Sequence, residues 1–472
     1  MVDRALGSYG RRHMHAIFVT AEITPYSGAG PAAEVCGALP KGLRSLDHAV
    51  TVVSPLYRSI DPDAHSLARR LSKVEVEVGG ETQACEIYTG RTVSGVELIF
   101  LGHETLFHGT DDFELGDDET VARRAAVFAR AAAKVVSDLE DVDLVHAHDW
   151  VGGAFLAALG ETALPTVLTL HRGAEQRRFG GAVGELFGDA AADVDGAKAP
   201  LVAGLKRAQR VTVSSPRAAD ALRGTLADVM DPEALVGIPA GIDASIWNPL
   251  TDPHLPHRFD PVDLGGKAKC KAELQRDLEL PVEAEVPMVA LEERSNGAGL
   301  ELFVKIASQI LRNQVQLVFV AADSPEPLVE RLDELDERWP DQAALLTEAD
   351  EELRHQLVAA ADLVLVAPET APSGGPEMRA HRYGAVPIVH HVDALADSVV
   401  DCDAKLDTGT GFAFGAFDAD EMLAAVRRAL GAYRQPEAFE ALQRRVMRVD
   451  HSWDRSARLY EGLYRELLES DG

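Results

Sequence analysis

Two stretches of this 472-residue chain, and one further histidine, have residue types and spacings suited to chemistry. Ser27-Gly28-Ala29-Gly30-Pro31-Ala32-Ala33 has the form G-x-G-x-x-A. That is a phosphate-cradling loop in which glycines let backbone approach a pyrophosphate at a helix N-terminus. Two features speak against a nicotinamide site. Gly28 lies some seven residues beyond the preceding apolar run, and the next run ends in Val53-Ser54-Pro55 without an acid for a ribose diol. A loop leading into a helix is the expected structure. His146-Ala147-His148-Asp149-Trp150 closes another apolar run. Strand alternation puts His146 and His148 on one side, as a metal pair or as polar caps of the strand end. No third ligand can be picked out, so capping is expected. His171 follows a buried run in the same way, and both a ligand-contacting and a structural role stay open for it. No G-x-S-x-G elbow or Walker loop occurs.

The elements that must position these residues follow from hydrophobic period. Short β-branched runs at 16–21, 49–53, 144–148 and 165–170 predict buried parallel strands, with helical patterns at 121–139 and 151–159. Segments 73–78 and 96–101 alternate with no helix between them and predict an antiparallel insertion. A second series runs strand 288–291, helix 300–311, strand 315–321, helix 327–337, helix 351–361, then strands 363–366 and 386–389. Pro327 suits a first helical position, where a missing N–H costs nothing. Residues 248–266, rich in Pro, Asp and His, predict an interdomain connection, and helical patterns from 418 to 468 close the chain. The implied fold class is α/β, with two Rossmann-like domains facing across a cleft.

Composition narrows the function. Acidic residues outnumber basic ones 76 to 46, a formal charge of −30, which argues against nucleic-acid or anionic-membrane partners. No apolar run approaches the ~18–20 residues of a membrane span. Residues 1–15 lack the apolar stretch of a secretory signal. Cys36, Cys85, Cys270 and Cys402 lie far apart, so a reduced, cytoplasmic chain without disulfides or a zinc cluster is expected.

Several motifs together resemble the bacterial glycogen synthases and plant starch synthases, which transfer glucose from ADP-glucose to an α-1,4-glucan. They begin with Phe18-Val19-Thr20-Ala21-Glu22, Gly37-Ala38-Leu39-Pro40-Lys41, Pro55-Leu56-Tyr57-Arg58 and His146–Trp150. Then come Gly241-Ile242-Asp243, Trp247-Asn248-Pro249, Arg382-Tyr383-Gly384 and Leu395-Ala396-Asp397. Thr410-Gly411-Phe412 and Ser452-Trp453-Asp454-Arg455-Ser456 complete a set spanning about 15 to 465 in family order. The resemblance implies a metal-independent, cofactor-free GT-B fold. Its N-terminal acceptor-side domain would span 1–247, its nucleotide-sugar domain 248–455, and a helix at 456–472 would return to the first domain. Met14 stands where family members often begin, so residues 1–13 are an extension or a mis-assigned start.

The departures from the family pattern are concentrated at its chemistry. The lysine of K-T-G-G-L falls on Gly28, the asparagine of N-G-I-D on Ala240 and the arginine of S-R-L on Glu293. The lysine that follows falls on Ala298, and the glutamate of F-E-P-C-G-L on Ala371. The T-G-G-L loop reads Val392-Asp393-Ala394-Leu395. Glu369 and Glu377 match the E-x7-E spacing of retaining glycosyltransferases, but the flanking register makes that a coincidence. Lys to Gly, Arg to Glu and Lys to Ala, offset by Glu to Ala, leave the diphosphate-binding positions three charges more negative. Three charge-assisted hydrogen bonds amount to about 5–9 kcal/mol, roughly four to six decades of affinity. Asp149 and His171 stand where the family lines its glucose pocket. The expectation is a catalytically impaired homologue (a pseudoenzyme) in glycogen metabolism, with ADP-glucose binding doubtful. Its partner would be α-1,4-glucan or an active glycogen synthase. The alternatives are a working glycosyltransferase using Arg294, Arg379, Arg382, Glu369 or Glu377 in new roles, and an interaction module with an empty cleft.

Overall fold

Parallel strands buried on both faces need helical crossovers, and this chain builds that arrangement twice. The computed structural model describes residues 13–28, 30–171, 177–292, 297–322, 324–371 and 374–470. These divide into two compact units. The first takes the described residues of 1–213, 219–238 and 456–472, and the second takes 214–218 and 239–455.

In the first unit the strands are β1 (His15–Val19), β2 (Ala49–Pro55), β3 (Ala68–Val78), β4 (Glu81–Arg91) and β5 (Glu97–Gly102). They continue with β6 (Leu144–His148) and β7 (Thr166–Leu170), then the short β8 (Phe179–Gly180), β9 (Ala192–Val194) and β10 (Ala197–Ala199). β11 (Arg210–Val213) and β12 (Leu235–Gly237) complete it. Nine of them form one sheet in the order β12-β11-β7-β6-β1-β2-β5-β4-β3, parallel from β12 to β5, and β8-β10-β9 form a separate small sheet. The insertion expected at 73–78 and 96–101 needs correcting. β3 and β5 do not pair with each other; β4 lies antiparallel between them, while β5 itself runs parallel to β2. β4 was missed because polar and apolar residues alternate only weakly along Glu81–Arg91.

The helix Asp118–Ser137 shows how sequence sets a boundary. The Asp117 carboxylate accepts the Thr120 N–H, Asp118 and Glu119 sit at the positive end of the dipole, and Lys134 at the negative end. Helices Asp149–Leu159 and Pro200–Leu205 approach through glycines. A Cβ on Gly204 would lie 2.3 Å from the Gly153 Cα, so neither position tolerates a side chain.

The second unit holds β13 (Met288–Glu292), β14 (Gln316–Val320), β15 (Ala343–Leu346), β16 (Leu363–Val366), β17 (Val386–His390) and β18 (Phe412–Phe414). They form an all-parallel sheet in the order β15-β14-β13-β16-β17-β18. Successive residues face opposite cores. Val289, Leu291, Leu317, Phe319, Leu363 and Leu365 pack on one side, and Met288, Ala290, Val318, Val320, Val364 and Val366 on the other. Cys36, Cys85, Cys270 and Cys402 are buried free thiols. Among the described residues no helix is long and apolar enough to cross a membrane.

Candidate functional site

Open α/β sheets bind ligands beyond the carboxyl ends of strands where the strand order reverses. In the first unit that point lies at β1 and β6, and in the second at β13 and β16. The sequence-derived positions gather at these strand ends. Gly28 follows β1, Asp149 follows β6, His171 follows β7, Ala298 follows β13 and Ala371 follows β16. Ala240 follows β12, half-buried, with its N–H donated to the Ser214 carbonyl at 3.3 Å. Glu293 and Arg294 lie outside the described residues.

At the β6 end the expected sidedness is found. The rings of His146 and His148 stack with centroids 4.4 Å apart. Their roles differ from a metal pair. His146 bonds the Tyr464 hydroxyl through Nδ1 at 2.7 Å and the Thr169 hydroxyl through Nε2 at 2.5 Å. It thereby fastens the terminal helix Trp453–Ser470 to the sheet, helped by Glu461 on His48 at 3.2 Å. His148 Nδ1 lies 2.9 Å from His171 Nε2, one imidazole N–H donating to the other ring. Burial holds His146 and His148 well below the usual histidine range, so both are neutral. Asp149 sits at φ +52°, and its carboxylate accepts the His171 N–H at 2.8 Å. Asp149 and His171 are thus brought together, with His148 behind them.

Gly28 has φ +71°, and a Cβ there would come 2.5 Å from a carboxylate oxygen of Glu22. The backbone at this position favours glycine and disfavours the lysine that the family pattern places there. In the second unit Ala371 is 4% exposed. Its N–H is accepted by the Asp393 carboxylate at 3.0 Å, and its carbonyl accepts the Ala394 N–H at 3.1 Å. Asp393 stands at φ +44°, keeping the left-handed backbone of a glycine position while adding a negative charge. Sequence reasoning noted the changed loop but missed this carboxylate contact; an acid in a glycine position was the available signal. Ala298 opens the helix Ala298–Leu311 behind Gly297 at φ +76°. The E-x7-E spacing joins an exposed Glu369 to a fully buried Glu377. The Glu377 carboxylate accepts the Gly375 N–H at 2.9 Å and the Ser398 hydroxyl at 3.0 Å, and burial raises its pKa. Arg379 lies over the Trp247 ring at 4.5 Å, and Arg382 donates to the Trp247 carbonyl at 3.3 Å.

Two doubly wound parallel sheets, each with polar loops at its switch point, are the arrangement of the GT-B fold. A family profile described as starch synthase catalytic domain matches residues 15–228. The glycogen synthase of Anaeromyxobacter sp. (strain Fw109-5) is 36% identical over 96% of this chain and 99% of its own length. That of Streptococcus pneumoniae (strain 70585) is 32% identical over 96% and 100%. Among solved structures, the catalytic domain of starch synthase IV from Arabidopsis thaliana, bound to ADP and acarbose, superposes with a TM-score of 0.86. It is 26% identical and covers 97% of this chain and 100% of that one. Sucrose-phosphate synthase from Thermosynechococcus elongatus, at 17% identity and a TM-score of 0.62, shares the fold. The chain belongs to the glycogen and starch synthase family.

Proposed function

We propose that this family member has kept the scaffold and a glucan-contacting surface while losing the chemistry that holds a sugar nucleotide's diphosphate. The observation that carries this reading is Gly28. The family's lysine position is occupied by a glycine at φ +71°, where an added Cβ would press on the Glu22 side chain. Ala298 and Ala371 offer no charge at two further family positions, and Asp393 adds a carboxylate beside Ala371. In a retaining transfer, cations also stabilise the charge developing on the leaving phosphate, so their loss weakens the transition state as well as binding. Asp149 and His171, held together at the ends of β6 and β7, are the residues we assign to sugar contact. The role would be binding α-1,4-glucan or modulating an active glycogen synthase.

The second reading, an active glucosyltransferase with a rewired site, draws support from the relatives, which carry the name glycogen synthase. Against it, Arg379 and Arg382 are already engaged with Trp247. Glucosyl transfer from ADP-glucose and UDP-glucose to glycogen separates the readings. We expect turnover at least ~1,000-fold below an active relative assayed in parallel, with glycogen still retarding the protein in an affinity gel. Turnover near that of the relative overturns the proposal.

A further inference from the structure

The segment after the first unit and a helix of the second bring together three ligating side chains. His254, Glu351 and His355 each offer one ligand atom, and all three atoms lie within 4.8 Å of one another. Glu351 and His355 stand four residues apart on the helix Glu351–Ala360, so they share a face. That face is registered by Asp350, whose carboxylate accepts the Leu353 N–H at 2.8 Å.

A single buried carboxylate organises both histidines. Asp252, 2% exposed, accepts the His254 backbone N–H on one oxygen at 2.9 Å. Its other oxygen lies 2.6 Å from His355 Nδ1 and also accepts the Tyr383 hydroxyl. Trp247 stacks on the His355 ring at 3.8 Å between centroids and 10° between planes, fixing its orientation. His355 is itself fully buried, and among the described residues its Nε2 has no hydrogen-bond partner. A buried polar nitrogen without a partner is costly, so a ligand there would relieve it. An imidazole that meets a carboxylate through Nδ1 is the usual arrangement of a metal-ligating histidine, whose Nε2 faces the ion.

We infer that His254, Glu351 and His355 bind one divalent ion of the zinc class, with Asp252 as the carboxylate that orients His355. Two imidazoles with one carboxylate suit zinc and its transition-metal neighbours, whereas calcium and magnesium prefer all-oxygen sets. Metal–ligand bonds of ~2.0–2.1 Å put tetrahedral ligand atoms about 3.3–3.5 Å apart, so the three side chains would draw in around a bound ion, the exposed Glu351 most easily. Water would complete the coordination. The ion would clamp the His254 segment onto the helix Glu351–Ala360, adding to the Gln356 amide already donated to the His254 carbonyl at 3.2 Å. This structural role is independent of the donor-site reading, and no step of sugar transfer runs through it.

The test is calorimetric titration of the metal-stripped full-length protein with zinc chloride, with cobalt(II) as a spectroscopic probe. We expect one zinc per chain, a visible cobalt d–d band of low coordination number, and a zinc-dependent rise in melting temperature. Glu351→Gln and His254→Ala lie outside the buried Asp252–His355 pair and should fold normally by circular dichroism. Each should weaken zinc binding at least ~10-fold and abolish the cobalt band. No saturable zinc binding overturns the assignment. So does unchanged affinity in both variants, which would put the ion on other histidines.

Discussion

Two turns, one in each unit, use the same device and reach different chemistry. After β6, Asp149 adopts a left-handed φ of +52° and its carboxylate accepts the N–H of His171. Beside β16 the acid comes from the helix start after the neighbouring β17: Asp393, at φ +44°, accepts the N–H of Ala371. In the first turn the captured residue carries an imidazole bonded to His148. In the second it is a buried alanine with nothing to offer a substrate. Both turns pair a left-handed aspartate with a captured backbone N–H, and the side chains of the captured residues differ. On the proposed reading the fold outlasts its chemistry, because parallel sheets are held by buried apolar faces that the strand-end residues barely touch.

The comparison can be broken first at its anchor. His146→Ala leaves the Tyr464 and Thr169 hydroxyls without their shared partner and opens a cavity, so it should destabilise the first unit by about 3–5 kcal/mol in chemical denaturation. A change under ~1 kcal/mol would mean that the terminal helix is held by other contacts.

The second unit has its own histidine pair, and acid should expose it. His381 and His451 lie 2.8 Å apart between ring nitrogens. Burial lowers them from 6.5 to about 3 and about 4, respectively. Both are neutral when folded, so below about pH 6.5 protons bind preferentially to the unfolded chain. Their contribution is complete above that pH and is lost toward pH 4, at up to about 1.4 kcal/mol per pH unit for each ring. His381→Asn should flatten the acid limb of a stability–pH curve. An unchanged limb assigns it to carboxylates instead.

The two turns can be compared directly. Asp149→Ala and Asp393→Ala should each cost about 1–3 kcal/mol, the worth of a hydrogen bond to a charged group. Only the first should weaken glucan binding. Equal loss of glycogen retention in both variants would erase the distinction between the turns. The smallest effect is expected at Gly28→Lys, which should cost about 1–2 kcal/mol for a left-handed non-glycine residue and restore no donor binding.

Much of the scaffold is legible in the sequence because its signals are long and periodic. The runs 144–148 and 363–366 coincide with β6 and β16, and the helical pattern at 300–311 lies within Ala298–Leu311. What escaped was short or weakly patterned: strands of two to four residues (β8 to β12, β15 and β18) and the weakly alternating β4. At the site, the motifs located the positions and their residues but not the contacts that folding brings to them. Sequence places Asp393 twenty-two residues from Ala371, and only folding reveals that one caps the other. Likewise, the Glu351 and His355 spacing is visible on a helix, whereas the contribution of His254 depends on how the connecting segment folds back.

The affinity of the full-length protein for ADP-glucose, measured by isothermal titration at low salt, where exposed charge attraction is strongest, decides whether the donor site still works. The proposed loss of donor-site cations predicts a dissociation constant in the millimolar range or weaker, equivalent to no more than about −4 kcal/mol. Saturable micromolar binding of the intact nucleotide sugar would contradict it.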